Sequence, residues 1–201
     1  MSGVKKKYGV YGGTFDPLHK GHLKIIKESI IQLDLDKLYV VVSGNSWMKD
    51  NKVVASKYQR QEMIEIALRN YKKVCLLKFE IEKDSPSYSY QTLEYLKNKS
   101  NNDFYFIIGA DAALGMDKWV KPINILRSSK IVCIPRGNIS KKRVKEKLLG
   151  IYTNTKIRFL KNISERISST TIRNSFKRNE IEQQCLNKNV YTYILKNKIY
   201  L

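Results

Sequence analysis

At 201 residues the chain has room for one substantial core, and no Pro-, Gly- or Ser-rich linker divides it, so a single domain over residues 1–201 is expected. Its 42% hydrophobic residues lie in short runs, none near the eighteen or so of a membrane span, which excludes a helical membrane protein and predicts a soluble one. A formal net charge of +20, from 38 Lys+Arg against 18 Asp+Glu, produces a field that gathers anions, nucleotides and nucleic acid alike, without choosing between them; many lysines also read as solvated helix faces. Cys75, Cys133 and Cys185 are odd in number, far apart and set among apolar residues, so buried thiols in a reducing compartment, the cytoplasm, are expected rather than disulfides. The N-terminal MSGVKKKYGV shows neither an apolar export core nor a cleavage site.

The first strand is predicted over 7–11. The segment after it, GGTFDPLHKGH, leads into an amphipathic helix over 21–33. Gly12 and Gly13 permit a tight turn and a close approach of the backbone to a ligand, and Thr14 offers a hydroxyl. Asp16 and Pro17 shape the turn, and the helix start presents N–H groups and a positive dipole end, together an anion site. Both histidines of the chain, His19 and His22, fall here at i and i+3, where they can donate from one side of the first turn to phosphate oxygens. Local packing and a metal pair are the alternatives, although zinc would want a third ligand that only a carboxylate such as Asp16 could supply.

Further strands are expected over 37–43, 74–79, 103–108, 130–134 and 156–160, with helices over 57–70 (N-capped by Ser56), 90–98 and 141–149. The run KKRVKEK (141–147) reads as a solvated helix face. Two more helices close the chain, one starting at 168–170 and one over about 188–198. This alternation predicts an α/β fold: a doubly wound, Rossmann-like parallel sheet with a helical C-terminal end. Ligands of such sheets sit beyond the carboxyl ends of the strands, which singles out the loops 12–21, 44–55, 109–119 and 162–171. In the last of these, Ser168, Ser169 and Thr170 gather hydroxyls at a helix start, with Arg173 one turn on.

GGTFDPLHKGH resembles the HxGH signature of the nucleotidyltransferase superfamily, and ISSTTIR (167–173) resembles its second, late signature. With IIGADAALGMDKW (107–119) and SPSYSYQTLEYL (85–96), the match is most similar to the nicotinate or nicotinamide mononucleotide adenylyltransferases and runs from about Tyr8 to Leu201. The resemblance implies ATP and nicotinate mononucleotide as substrates, with nicotinate adenine dinucleotide and pyrophosphate as products, in NAD synthesis. It implies that His19 and His22 contact the triphosphate, Thr14 the transferring group, and Arg173 with Ser168 and Ser169 the β/γ end. Gly12, Gly13, Phe15 and Ile167 would complete the ATP side. Gly109 and Asp111 would hold the adenylate, Asp111 through the ribose hydroxyls. Trp119 would stack on the pyridine ring, with core filling as its alternative, and Ser87, Tyr88 and Ser89 would meet the pyridine substituent. Mg²⁺ would be carried on the ATP phosphates rather than in a protein metal site.

Two departures bear on the acceptor. Where that family carries a proline-rich segment ending in His-Lys, this chain reads GNSWMKDNKV (44–53), leaving Lys49 or Lys52 to replace the lysine. Ser89 and Gln91 stand where the family has Thr and Asp. Nicotinamide mononucleotide or another small phosphate-bearing acceptor such as pantetheine phosphate therefore remain alternatives. A class I aminoacyl-tRNA synthetase would want a lysine-rich loop in place of ISSTTIR. A nucleic-acid-binding protein is the alternative of a different class, but the aromatic residues fall mainly in apolar segments rather than in a basic stacking stripe. No nucleic-acid or membrane partner is expected, and self-association is left open.

Overall fold

Strand β4 (Asp103–Gly109) carries five consecutive buried residues, Phe104 to Ile108, a pattern that only a strand covered on both faces accommodates. A computed structural model, describing residues 4–45, 53–163, 167–178, 180 and 183–201, places it near the middle of a six-stranded parallel sheet. The other strands are β1 (Lys7–Gly13), β2 (Lys37–Val42), β3 (Val74–Leu77), β5 (Lys130–Ile134) and β6 (Ile157–Phe159), in the order β3-β2-β1-β4-β5-β6. Register is set by Lys7 opposite Asp103 through Tyr11 opposite Ile107, and by Tyr105 opposite Lys130 through Gly109 opposite Ile134. The outermost strands, β3 and β6, are short and mostly half-buried, as edges of such a sheet are.

The helices are α1 (Lys20–Leu33), α2 (Lys57–Leu68), α3 (Ser89–Lys99), α4 (Ala110–Leu114), α5 (Pro122–Ser128), α6 (Lys141–Ile151), α7 (Ser169–Lys177) and α8 (Lys188–Lys196). Ser56 caps α2 in a full capping box: its hydroxyl accepts from the Gln59 N–H at 3.2 Å while its own N–H donates to Gln59 Oε1 at 2.9 Å. Ser140, Ser168 and Asn187 cap α6, α7 and α8 in the same sense.

The expected architecture holds, with two local corrections. The 109–119 stretch, read as a loop, folds into α4 and a 3₁₀ turn over Met116–Lys118. Helix α5 escapes the sequence because seven residues are too few for periodicity to declare itself. Elsewhere element ends shift by one or two residues, β3 stopping at Leu77 and α6 reaching Ile151.

The chain divides into two compact units. The first comprises Met1–Gly12, Glu28–Tyr39 and Tyr88–Ile163. Its core is built on Phe104, Phe106, Ile107, Ile131 and Val132, with Leu93, Ile125, Val144 and Leu148 packed from helices. The second comprises Gly13–Lys27, Val40–Ser87 and Ser164–Leu201. Its core gathers Val40, Val42, Met63, Ile64, Ile172, Phe176, Val190 and Ile194. No helix among the described residues is long and apolar enough to cross a membrane, and Cys75, Cys133 and Cys185 form no disulfide. Cys133 and Cys185 are buried as expected, whereas Cys75 is half-buried.

Candidate active site

The second unit holds the HxGH segment. Gly13 ends β1 with no left-handed backbone, so the expected turn is not made there. The reversal falls at Phe15, whose φ of 50° is left-handed, and its ring folds back under Gly13, where a Cβ would lie 2.9 Å from the ring. Gly13 is thus required by Phe15's ring rather than by its own torsion. Gly12, the preceding residue of β1, is exposed and belongs to the first unit. Phe15 is buried, and its ring meets the His22 ring edge-on, 5.0 Å between centroids.

His19 immediately precedes α1, and its carbonyl accepts the first helical bond from the Leu23 N–H at 3.2 Å. The His19 N–H donates to His22 Nδ1 at 3.2 Å, so His22 performs the reach-back of a capping-box third residue. With Nδ1 accepting, neutral His22 carries its proton on Nε2. The two imidazoles stack at 3.7 Å and 25°, so they share one side of the first turn as their spacing predicted. Thr14 is half-buried, and its carbonyl is held by the Arg60 guanidinium.

Asp16 organises the rest of this unit. Its side chain is only 3% exposed, its bond to Pro17 is cis, and its carboxylate accepts from the Val54 N–H at 2.8 Å, the Ala55 N–H at 3.0 Å and the Tyr200 hydroxyl at 2.7 Å. Arg60 is as deeply buried and donates to the carbonyls of Thr14, Ser43, Gly44 and Ala55. Burial pulls its guanidinium below the usual arginine range, and the charge of Asp16 opposes the pull. Sequence reading missed Arg60, although a signal existed: Arg60, Met63, Ile64, Ala67 and Leu68 are the buried stripe of α2, so a cation stands where an apolar residue belongs.

The second motif meets the first within this unit. Ser169 Oγ donates to the Pro17 carbonyl at 3.0 Å, and Arg173 Nη1 donates to the Asp16 carbonyl at 2.8 Å. Arg173 Nη1 also lies 3.7 Å from the Asp16 carboxylate, and its Nη2 reaches Thr170 Oγ1 at 3.3 Å. Ser168 is spent as the N-cap, accepting from the Thr171 N–H at 3.1 Å. Ile167, half-buried, precedes it. The helix start still presents the first N–H groups of α7, which have no partner inside the helix. Ser87, expected at the mononucleotide, braces loops: its Oγ accepts from the Gly44 N–H at 3.0 Å and its N–H donates to the Asn45 carbonyl at 2.9 Å. Lys49 and Lys52 lie outside the described residues.

The first unit holds the remaining candidates. A Cβ on Gly109 would fall 2.3 Å from Asp111 Oδ1, so glycine there lets the Asp111 carboxylate fold back over the end of β4. Arg136, beyond β5 and absent from the sequence reading, lies 3.6 Å from that carboxylate. Trp119 follows the 3₁₀ turn with its indole edge-on to Phe106 at 6.2 Å, half-buried; its Nε1–H is buried without a partner among the described residues. It therefore both fills core and keeps surface. Tyr88 precedes α3 and caps it with no side-chain bond, leaving the N–H groups of Ser89 and Tyr90 at a helix start; the Tyr88 and Tyr90 rings stack at 6.1 Å. Among the described residues no group of three His, Cys, Asp or Glu side chains is placed to hold a metal ion, and the oxygens of Asp16 are already taken by protein donors.

A sheet ordered 3-2-1-4-5-6, with HxGH and ISSTTIR helix starts following its strands, is the framework of a nucleotidyltransferase. Residues 10–175 match the cytidylyltransferase-like family. A probable nicotinate-nucleotide adenylyltransferase of Clostridium acetobutylicum is 37% identical over 98% of this chain and 100% of its own, and one of Clostridium botulinum 35% identical over 97% and 98%. The nicotinic acid mononucleotide adenylyltransferase of Plasmodium falciparum, solved in complex with NaAD, shares the fold with a TM-score of 0.76 at 21% identity, covering 97% of each chain. The chain belongs to the cytidylyltransferase-like family and, through these full-length relatives, to its nicotinate-nucleotide adenylyltransferases.

Proposed function

We propose that the chain, acting as one nucleotidyltransferase domain in the cytoplasm, transfers the adenylyl group of MgATP to nicotinate mononucleotide in NAD synthesis. The observation that carries the proposal is the junction of the two motifs: Ser169 on the Pro17 carbonyl and Arg173 on the Asp16 carbonyl hold α7 against the segment that fixes His22. The names of the full-length relatives support the substrate pair. A phosphate oxygen of the mononucleotide attacks the α-phosphorus of ATP in line, and the bond to the β-phosphate breaks as pyrophosphate leaves. No covalent enzyme intermediate is required, so the protein contributes positioning and charge stabilisation.

In this reading His22 Nε2–H and His19 donate to the triphosphate, and Thr14 to the transferring group. Arg173 and the first N–H groups of α7 take the β/γ end, where Ser168 and Ser169 set the helix start. Gly109 and Asp111 serve the adenylate ribose. Trp119 supplies a ring face to the pyridine. The backbone at the start of α3, Tyr88 to Tyr90, is suited to the pyridine carboxylate because helix-start N–H groups favour an anion over a neutral amide. Mg²⁺ enters as part of the nucleotide. The +20 charge raises the local concentration of both phosphate-bearing substrates, and no nucleic-acid partner is invoked.

Pyrophosphate release from MgATP, measured in parallel with nicotinate and nicotinamide mononucleotides at matched concentrations, tests this. A large preference for the acid is expected. Preference for the amide would keep the chemistry and overturn the acceptor. Release with neither, together with salt-sensitive RNA binding, would overturn the enzyme reading itself.

A further inference from the structure

We infer that Tyr200 is a positioning residue of the phosphate site, acting through Asp16 on Arg173. The inference rests on the proposed role of Arg173 at the ATP phosphates. Tyr200 follows α8, is 3% exposed, and occupies a left-handed conformation at φ 70°, which an L-residue holds only when its surroundings impose it. Two contacts impose it. The ring packs against Phe176 of α7 at 5.9 Å, one turn beyond Arg173, and the hydroxyl donates to Asp16 Oδ1 at 2.7 Å.

Asp16 is an acceptor-only group in a buried setting, so each oxygen needs its donors. Tyr200 and the Ala55 N–H serve Oδ1; the Val54 N–H serves Oδ2, which also faces Arg173. The same residue's carbonyl holds Arg173 Nη1. With the Arg173 side chain 14% exposed and both ends of its fork engaged, small rotations of Asp16 redirect the guanidinium. Removing the Tyr200 hydroxyl strips one donor from Oδ1, and the carboxylate then leans on the Arg173 guanidinium that faces Oδ2. The pull falls on the anion-binding face of Arg173, not on the pyridine side.

The test uses Tyr200→Phe in the full chain, with Leu201→Ala, an exposed neighbour, as control. A hydrogen bond to a charged group is commonly worth a ten-fold or somewhat larger factor, so roughly a ten-fold rise in KM for MgATP is expected. A similar loss in tripolyphosphate affinity by calorimetry should accompany it, with KM for the mononucleotide unchanged and Leu201→Ala like wild type. Asp16→Asn should show the same split, and the double variant should be no worse than the poorer single one. A Tyr200→Phe enzyme with wild-type KM for MgATP and wild-type tripolyphosphate affinity, whatever its melting temperature, would overturn the inference. A wild-type protein that binds neither MgATP nor tripolyphosphate would instead overturn the functional reading beneath it.

Discussion

The two units hold their candidate residues by different means. In the second, HxGH and ISSTTIR are fixed by directional bonds: His19 to His22, Ser169 to Pro17, Arg173 to Asp16, and Arg60 to four carbonyls. In the first, ring contacts predominate at Trp119, Tyr88 and Tyr90, with one bond from Gln91 to the Tyr90 hydroxyl, and Gly109 with Asp111 and Arg136 forms a polar group. Hydrogen bonds fix angles, whereas ring packing tolerates sliding by fractions of an ångström. A phosphate chain undergoing substitution needs the first kind of support, and a planar ring that must only be held needs the second. Chemistry should therefore be lost sharply in one unit and binding gradually in the other.

The sharpest break is His22→Ala. By analogy with lost oxyanion donors, about 3 to 4 kcal/mol of transition-state stabilisation should vanish, roughly a hundred- to thousand-fold in kcat. Steady-state turnover near wild type would remove His22 from the chemistry. Trp119→Ala comes next: KM for the mononucleotide should rise about ten-fold, from the loss of one stacking face, with KM for MgATP little changed. Equal changes in both would assign Trp119 to the core against Phe106.

The mildest prediction concerns one tyrosine from each unit. Burial raises the Tyr11 hydroxyl, against an opposing effect of Arg136; burial and then the Asp16 charge and hydrogen bond raise Tyr200 further. Both stay protonated in the folded chain, so their contribution to stability is complete below the unfolded tyrosine value of about 10 and is lost as pH climbs beyond it. Urea midpoints should accordingly hold to about pH 9 and fall above pH 10. Tyr200→Phe and Tyr11→Phe should each flatten that fall to a similar extent, because both hydroxyls keep their proton in the folded chain while the unfolded ones lose it. A fall left unchanged by Tyr200→Phe would mean that the Tyr200 hydroxyl does not keep its proton in the folded chain.

How legible these regions were in the sequence follows from the same contrast. HxGH and ISSTTIR could be read because spacing along one helix turn fixes which side chains share a side, as the stacked His19 and His22 confirm. The strands themselves could be read because buried parallel strands are continuous apolar runs, whereas their order in the sheet was supplied by the structure. What escaped was set by tertiary contacts rather than by local propensity. Tyr200 meets Asp16 across 184 positions, and the left-handed Phe15 is stabilised by a ring contact that no local propensity announces. The structural partners of Gly13 and Ser87 were equally invisible: Gly13 lies against the Phe15 ring, and Ser87 bonds Gly44 and Asn45. Arg60 was visible as a cation in an apolar stripe, yet only its four carbonyl partners give that cation a purpose.

The most direct test follows the phosphorus atoms. MgATP labelled at the α-phosphorus would be turned over with nicotinate mononucleotide and the products separated. Adenylyl transfer predicts the label in the dinucleotide, with unlabelled pyrophosphate released in equal amount. Label recovered in ADP beside a phosphorylated acceptor, or in AMP with no dinucleotide formed, would contradict it.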